Sequence, residues 1–340
     1  MTGPRRLLPL IVVLALVALF AFRNNHELRE AVRILQHARS GPLMWALAAQ
    51  ILYYAFATLT VRQCLRLVDF DIPFAQSLRA TFLLIFVNRI VPGPAATGPA
   101  AMYLILGRRG LDKTRAAFVG PMFYAVDYAA FFLLLLLGVL SAILNRQDVR
   151  SAVAAIPIVG VAVVVAWAAL RMWRRPERVR RFLTRWRDAL NATLAGLRLK
   201  ARLPANGPDH VAETVAGMRD RLDRHPGIGW KMGFAGVAML LSDVVTMALC
   251  LSAFGYSPSV STALLGFCLA TVGAIISFLP GGLGTFEIAM VAGFGSLGVP
   301  RPVALAGTLA YRIIATWLPA ALGVFASGEL ARPKANRDAG

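Results

Sequence analysis

The chain has 340 residues, of which 58% are hydrophobic and 16% are charged, whereas an average soluble domain carries about 25% charged residues. These proportions exclude an ordinary water-soluble globule and predict a polytopic membrane protein. The formal net charge is +19, from 36 basic and 17 acidic residues. Because no nucleic-acid-binding motif accompanies this charge, we attribute it to basic loops on the cytoplasmic side of a membrane and expect no nucleic-acid partner.

Apolar blocks long enough to cross a bilayer recur along the chain. A helix needs about 20 apolar residues to cross a hydrocarbon core of about 30 Å. The blocks lie at 7–22, 43–61, 116–144, 152–173, 231–254 and 303–327. The first block is followed by no small-residue cleavage site, so we predict a retained first span rather than a signal peptide.

Two further apolar blocks are interrupted by proline and glycine. The block at 74–107 contains the sequence PGPAATGP at 92–99, and the block at 260–300 contains PGGLG at 280–284. Proline removes a backbone donor and glycine weakens a helix, so each block is predicted to form two short helices that meet inside the membrane. The predicted fold class is all-α: a polytopic membrane protein with about six spanning helices and two inverted re-entrant hairpins built from broken helices.

The basic residues predict the orientation of the chain. The loops at 1–6, 62–73, 107–115, 171–230 and 328–340 hold 25 of them, and those at 23–41, 145–151, 255–259 and 300–302 hold 7. The positive-inside rule therefore places both termini in the cytoplasm. The first hairpin then enters from the cytoplasm and the second from outside. We expect a multi-pass protein of a bacterial inner membrane.

The two halves of the chain show a weak internal repeat. We divide a single membrane domain, 1–340, into a first half at 1–144, a basic cytoplasmic loop at 171–230 and a second half at 231–327. Transporters built from inverted repeats carry such paired, interrupted helices around a midplane site. An offset of 188 residues pairs Pro92 with Pro280, Gly93 with Gly281, Met102 with Met290, Gly110 with Gly298 and Ala116 with Ala304.

The basic loop contains an amphipathic segment. Residues 171–202 hold eleven basic and two acidic residues. Apolar residues recur there at spacings of three and four, which predicts a helix lying in an anionic membrane interface. The alternatives are a loop that only sets topology, and a surface that binds a partner or a nucleic acid. The apolar positions are Val179, Phe182, Leu183, Trp186, Leu190, Leu194 and Leu197.

Five ionisable residues are predicted to lie deep inside the membrane segments. Each costs roughly 2.5 to 3.5 kcal/mol near the bilayer centre, so each needs a partner, a wet cavity or a function. Arg89 lies close to the first interruption and is a candidate anion ligand. For Asp127 and Asp243 a structural role is the stronger reading, and a role in the substrate path is the alternative.

Glu287 and Arg312 are the most informative of these residues. Glu287 stands at the start of the helix that leaves the PGGLG segment, close to a positive helix end. Arg312 is a natural counter-ion for Glu287 or for a phosphate. The two either form a fixed structural ion pair or contribute directly to a substrate path. Gly281, Gly282 and Gly284 would allow a head group to approach the backbone closely.

Motifs for covalent, metal or nucleotide chemistry are missing from the sequence. The four histidines lie outside the predicted spans without HExxH spacing, and neither GxxxxGK[ST] nor GxSxG occurs. We therefore expect no enzymatic activity, no cofactor and no metal.

The segment at 277–323 resembles the C-terminal signature of the lysylphosphatidylglycerol synthase transmembrane family, also described as flippase-like integral membrane proteins. That signature joins a P-G-G-x-G-x-x-E hairpin to a Gly-Val-Pro turn, a Tyr-Arg pair and a later Trp-Leu-Pro. The matching residues are Pro280, Gly281, Gly282, Gly284, Glu287, Gly298, Val299, Pro300, Tyr311, Arg312, Trp317, Leu318 and Pro319.

The first half departs from the family pattern. Pro99 follows Gly98 where the family commonly has a glutamate, and Phe123 and Tyr124 stand where it has Glu-Arg; Asp127 retains the downstream aspartate. The resemblance extends over nearly the whole chain through its spans. A catalytic synthase domain, which some relatives carry separately, is not expected here.

The resemblance implies a flippase-like protein that binds or moves an anionic lipid, either a phospholipid or a polyprenyl-phosphate-linked lipid. The expected partners are membrane lipids, with a homo-oligomer or an enzyme partner as further possibilities. A non-catalytic scaffold for a lipid-modifying enzyme or glycosyltransferase, and a secondary solute transporter, are the alternatives. The predicted substrate-binding residues are Gly281, Gly282, Gly284, Glu287, Arg312, Tyr311, Arg89, Asp127 and Asp243.

Overall fold

Long apolar runs fold into helices because a helix satisfies its own backbone hydrogen bonds where water is absent. The computed structural model describes residues 38–90, 97–144, 160, 171, 176–196, 207–275 and 285–319, and within these ranges every regular element is helical. This confirms the predicted all-α class. The helices are α1 (Ser40–Leu67), α2 (Phe74–Ile90), α3 (Thr97–Arg108), α4 (Lys113–Leu144), α5 (Pro176–Gly196), α6 (Gly207–Arg224), α7 (Pro226–Ala253), α8 (Val260–Ile275), α9 (Thr285–Ser296) and α10 (Arg301–Arg312).

Three of these helices, α1, α4 and α7, are long and apolar enough to cross a membrane. They contain the predicted spans at 43–61, 116–144 and, apart from its last residue, 231–254. The predicted span that begins at 303 is described as far as 319, where α10 passes into a π-helical turn at Ile313–Trp317. The predicted span at 7–22 and nearly all of that at 152–173 lie outside the described residues.

Helices α1 and α7 run antiparallel along each other. The Arg39 N–H donates to the Ala253 carbonyl at 3.0 Å, where α1 begins and α7 ends. At the opposite end of the pair, the sulfur atoms of Cys64 and Met232 lie 3.8 Å apart. Residue numbers therefore rise along α1 as they fall along α7.

Each interrupted block forms a pair of short antiparallel helices. Arg109, just beyond α3, hydrogen-bonds to Gln76 in the first turn of α2. Gly266 of α8 packs against the ring of Phe294 near the end of α9. At about 1.5 Å per residue, none of the four helices reaches 30 Å. The turns themselves, at 91–96 and 276–284, lie outside the described residues, so re-entry into a membrane stays a prediction.

The helix boundaries of the two halves match at a fixed offset along the sequence. An offset of 188 residues carries α3, Thr97–Arg108, onto α9, Thr285–Ser296, and carries the start of α4 onto the start of α10. Gly110 and Gly298 end the matching helices with φ of 91° and 84°. The same offset carries α1 approximately onto α7, and because these two run antiparallel, the halves have opposite orientations.

Helices α5 and α6 lie between the two halves in the chain. Val215 and Met218 of α6 are buried in a core shared with α1 to α4 and α7. Arg180 of α5 pairs with Asp209 of α6 at 2.7 Å. The side chains of Phe182 and Trp186 are exposed on α5, at the apolar positions of the predicted amphipathic segment.

Candidate functional site

The most buried ion pair among the described residues joins the second hairpin to the last helix. The Nε–H of Arg312 donates to Oε1 of Glu287 at 2.7 Å, and the side chains are 7% and 15% exposed. Glu287 lies in the first turn of α9, where the helix dipole favours a carboxylate. The structure therefore contains the ion pair between Glu287 and Arg312 that was one of the two alternatives for these residues.

The ring of Phe286 packs against the guanidinium group of this ion pair. The guanidinium carbon of Arg312 lies 4.4 Å from the ring centroid of Phe286. The same ring stacks on Tyr311, with centroids 5.9 Å apart and planes inclined by 14°. Phe286 therefore contacts the two residues that face it from α10, and a cation over an aromatic ring is electrostatically favoured.

Tyr311 connects the ion pair to a second buried carboxyl group. Its hydroxyl donates to Oδ1 of Asp243 at 2.9 Å, and Asp243 is 5% exposed. Since Asp243 belongs to α7, the bond joins the second hairpin and last helix to the central antiparallel pair. Asp243, Tyr311, Phe286, Arg312 and Glu287 form a continuous cluster, called the charged cluster below.

The backbone of the last helix changes its hydrogen-bonding pattern next to the charged cluster. A π-helical turn, Ile313–Trp317, begins directly after Arg312. Ile313 and Trp317 are exposed, whereas Tyr311 and Arg312 are buried. Such turns are rare and occur frequently at functional sites. This turn directly follows the two buried polar residues of α10.

The structure brings together four of the predicted substrate-binding residues: Glu287, Arg312, Tyr311 and Asp243. Asp127 lies half-buried on α4. Arg89 lies on α2, and its side chain is outside the described part of the structure. Gly281, Gly282 and Gly284 also lie outside the described residues. Phe286 is not among the residues predicted from the sequence, although its position directly before Glu287 was a usable signal.

The first half has no equivalent of the charged cluster at the corresponding positions. With the 188-residue offset, Pro99 replaces Glu287, and Phe123 and Tyr124 replace Tyr311 and Arg312. Gly120 allows α4 to approach Pro99, since a Cβ atom on Gly120 would lie 2.6 Å from the Pro99 Cα. In the first half, Pro99 therefore packs closely against α4 at the position where the second half has its ion pair.

A polar cavity of about 570 Å³ lies where α6 meets the end of α1 and the start of α4. Carboxylates and guanidinium groups both line it, among them Asp69, Asp112, Arg115 and Arg221. Arg221 pairs with Asp69 at 2.5 Å. This cavity could not be predicted from the sequence, because its walls come from segments far apart in the chain.

Comparison with known proteins identifies the family of the chain. Residues 6–323 match the family described as the lysylphosphatidylglycerol synthase TM region. A UPF0104 membrane protein of Methanothermobacter thermautotrophicus is 24% identical over 325 residues, which cover 94% of each chain. A UPF0104 membrane protein of the same organism is 32% identical over 43% of this chain and 47% of its own length.

Two phosphatidylglycerol lysyltransferases match a short segment of the chain. A phosphatidylglycerol lysyltransferase of Staphylococcus haemolyticus is 34% identical over 67 residues, which are 19% of this chain and 8% of that protein. A phosphatidylglycerol lysyltransferase of Staphylococcus aureus is 34% identical over 61 residues, 7% of its length.

Proposed function

The chain belongs to the lysylphosphatidylglycerol synthase TM family, and from this premise we propose that it binds the anionic head group of a membrane lipid at Arg312 and moves that lipid across the membrane. The family is a membrane-protein family associated with lipid modification. The observation that carries the proposal is the buried pair of Arg312 and Glu287 at 2.7 Å, because charges are kept inside membrane helices chiefly for pathways and ligands.

In the proposed mechanism Arg312 exchanges one anionic partner for another. A guanidinium group binds phosphate oxygens through parallel N–H bonds, in the same geometry that it uses for a carboxylate. An entering phosphate would compete with Glu287 for Arg312, and the freed carboxylate would move or take up a proton. Because Tyr311 and Asp243 join Arg312 to α7, this exchange would also alter the contact between the hairpin and the central helices.

The finer predictions about the protein form part of the same proposal. We place it in a bacterial inner membrane with both termini in the cytoplasm, as the distribution of basic residues indicates. Its partners are anionic membrane lipids, phospholipid or polyprenyl-phosphate-linked, and it performs no covalent chemistry on them. A copurifying enzyme at stoichiometric amount, with only bulk lipid bound, would favour a scaffold instead.

Reconstituted liposomes test the proposal directly. Purified protein is incorporated into vesicles that contain a fluorescent anionic phospholipid, and the fraction of label reached by a membrane-impermeant quencher is followed with time. Arg312→Ala and Glu287→Gln are expected to slow translocation at least tenfold. Arg301→Ala, which removes an exposed arginine from the same helix, is expected to match the wild type.

Two results would overturn the site assignment. Either Arg312→Ala and Glu287→Gln insert normally and translocate at the wild-type rate, or Arg301→Ala slows translocation as much as they do. Size-exclusion profiles in detergent serve as the check on insertion and folding.

A further inference from the structure

A buried glutamine on α1 has no hydrogen-bond partner among the described residues. Gln50 is 2% exposed, and within the described part of the chain neither its Oε1 nor its Nε2 has a partner. A side-chain amide carries two donor hydrogens and an acceptor oxygen, and leaving them unpaired in an apolar interior is costly. A leucine of similar size would fill the same space without that cost, so the stability of the helix pair does not explain the glutamine.

Gln50 lies on the face of α1 that contacts α7. The carbonyl oxygen of Ala46 lies 3.5 Å from the hydroxyl oxygen of Thr246 on α7, and Cys64 contacts Met232 on the same helix. Ala46 and Cys64 are 18 residues apart, about five helical turns, and therefore share one face. Gln50 is one turn beyond Ala46 on that face.

The antiparallel register places Gln50 opposite the part of α7 that carries Asp243. Ala46 lies beside Thr246. Because the helices are antiparallel, Gln50, one turn after Ala46 on α1, lies beside Ser242, one turn before Thr246 on α7. Asp243 is the next residue and receives the Tyr311 hydrogen bond of the charged cluster. Gln50 is thus level with the α7 end of the charged cluster.

The hydroxyl groups nearest in this register already have partners. Ser242 donates to the Ala238 carbonyl at 2.7 Å, and Thr246 donates to the Ser242 carbonyl at 2.8 Å. Both bonds stay within α7 and leave the Gln50 amide unmatched. What the amide lacks is a group from outside these two helices that donates and accepts hydrogen bonds.

We propose that Gln50 determines substrate specificity by hydrogen-bonding a hydroxyl of the lipid head group whose anionic part pairs with Arg312. This inference rests on the proposed function and names the substrate class further: an anionic lipid with a hydroxylated head group, such as a glycerol or sugar head. A hydroxyl is the smallest group that both donates and accepts, so one or two hydroxyls satisfy the Gln50 amide. The amide is then unsatisfied only in the lipid-free state.

Two lipids of equal charge test the proposal. Dioleoyl-phosphatidylglycerol and dioleoyl-phosphatidylmethanol both carry one negative charge, but only the first has free hydroxyls. Binding to the lipid-depleted full-length protein is measured by thermal shift against lipid concentration in detergent. The wild type is expected to bind the glycerol lipid about tenfold more tightly, as an extra satisfied hydrogen bond implies. Gln50→Leu is expected to bind both lipids equally.

The stability of the lipid-free protein gives an independent readout. Gln50→Leu is expected to raise the Tm of the lipid-depleted protein, because it removes an unsatisfied buried amide. Gln63→Leu is the matched control, since Gln63 is a second buried glutamine of α1, more than three turns away. It is expected to leave the preference between the two lipids unchanged.

The outcomes distinguish a failure of the Gln50 assignment from a failure of the proposed function. If the wild type binds both lipids equally, or if Gln50→Leu keeps the preference, the assignment of Gln50 is wrong while the proposed function stands. A lowered Tm for lipid-depleted Gln50→Leu also overturns the assignment, because the amide would then be held by buried water. If Arg312→Ala binds both lipids as the wild type does, the proposed function fails and the inference fails with it.

Discussion

Pro99 occupies in the first half of the chain the position that Glu287 occupies in the second, 188 residues later. The helices that begin around these residues have matching lengths and end in matching turns. Pro99 packs against Gly120, whereas Glu287 pairs with Arg312. In the described part of the chain, the buried ion pair therefore lies in only one of two oppositely oriented halves. The two directions across the bundle differ chemically at these positions.

The ion pair is expected to stabilise the fold only as a complete pair. Glu287→Met or Arg312→Met alone leaves an uncompensated buried charge and is expected to lower the free energy of unfolding by about 3–5 kcal/mol. The double variant removes both charges and is expected to recover most of that loss. Thermal unfolding of the four proteins in one detergent measures this. A double variant as unstable as the sum of the single variants would contradict the prediction.

The hydrogen bond from Tyr311 to Asp243 is expected to contribute about 1.5–3 kcal/mol if the carboxyl group is charged and about half as much if it is neutral. Tyr311→Phe removes the hydroxyl but keeps the ring that stacks on Phe286. A double-mutant cycle with Asp243→Asn gives the coupling energy from thermal unfolding. Tyr103→Phe serves as the control at a half-buried tyrosine on α3. A coupling energy near zero would show that the bond does not link α7 to α10.

Gly120 is expected to tolerate no side chain. A Cβ atom there would lie 2.6 Å from the Pro99 Cα, which is backbone and cannot rotate away. Gly120→Ala should therefore push α3 from α4 and cost about 1–3 kcal/mol. At Gly107, also helical, a Cβ would have no neighbour within 4 Å, and Gly107→Ala is expected to stabilise by up to about 1 kcal/mol. Equal Tm changes in the two variants would contradict the packing argument.

Asp112 is expected to make the stability of the start of α4 depend on pH. The backbone N–H of Arg115, assisted by those of Thr114 and Lys113, lowers the pKa of the Asp112 carboxyl below its ordinary value. A lowered pKa in the folded state means that this stabilisation is present above the unfolded-state value of about 3.9 and is lost as the pH falls through the folded-state pKa.

The Asp112 prediction is tested with two substitutions. Asp112→Asn keeps a side-chain cap and is expected to flatten the part of the Tm profile below about pH 4 that this residue produces. Asp112→Ala removes the cap and is expected to cost about 1 kcal/mol at neutral pH. If the Tm of Asp112→Asn falls at low pH as much as that of the wild type, other carboxyl groups cause the fall.

Local patterns in the sequence were sufficient to predict the long apolar helices and the two interrupted blocks. Apolar run length predicted α1, α4 and α7, since a membrane-spanning helix needs no contact beyond its own residues to satisfy its backbone. Proline and glycine predicted where the two hairpins divide. An ion pair between Glu287 and Arg312 was one of two alternatives that the sequence left open, because few counter-ions exist inside apolar helices and each buried charge needs one.

The contacts between distant segments required the tertiary structure. No spacing rule in the sequence places Phe286 under Arg312, Asp243 beside Tyr311, or Gln50 level with Asp243, because each depends on the register between packed helices. The same reason accounts for the cavity between α6, α1 and α4. The sequence by itself determined which segments are helical and which charges must be paired, since both follow from the energetics of an apolar environment. The tertiary structure decided which side chains meet, because that depends on how separate helices pack together.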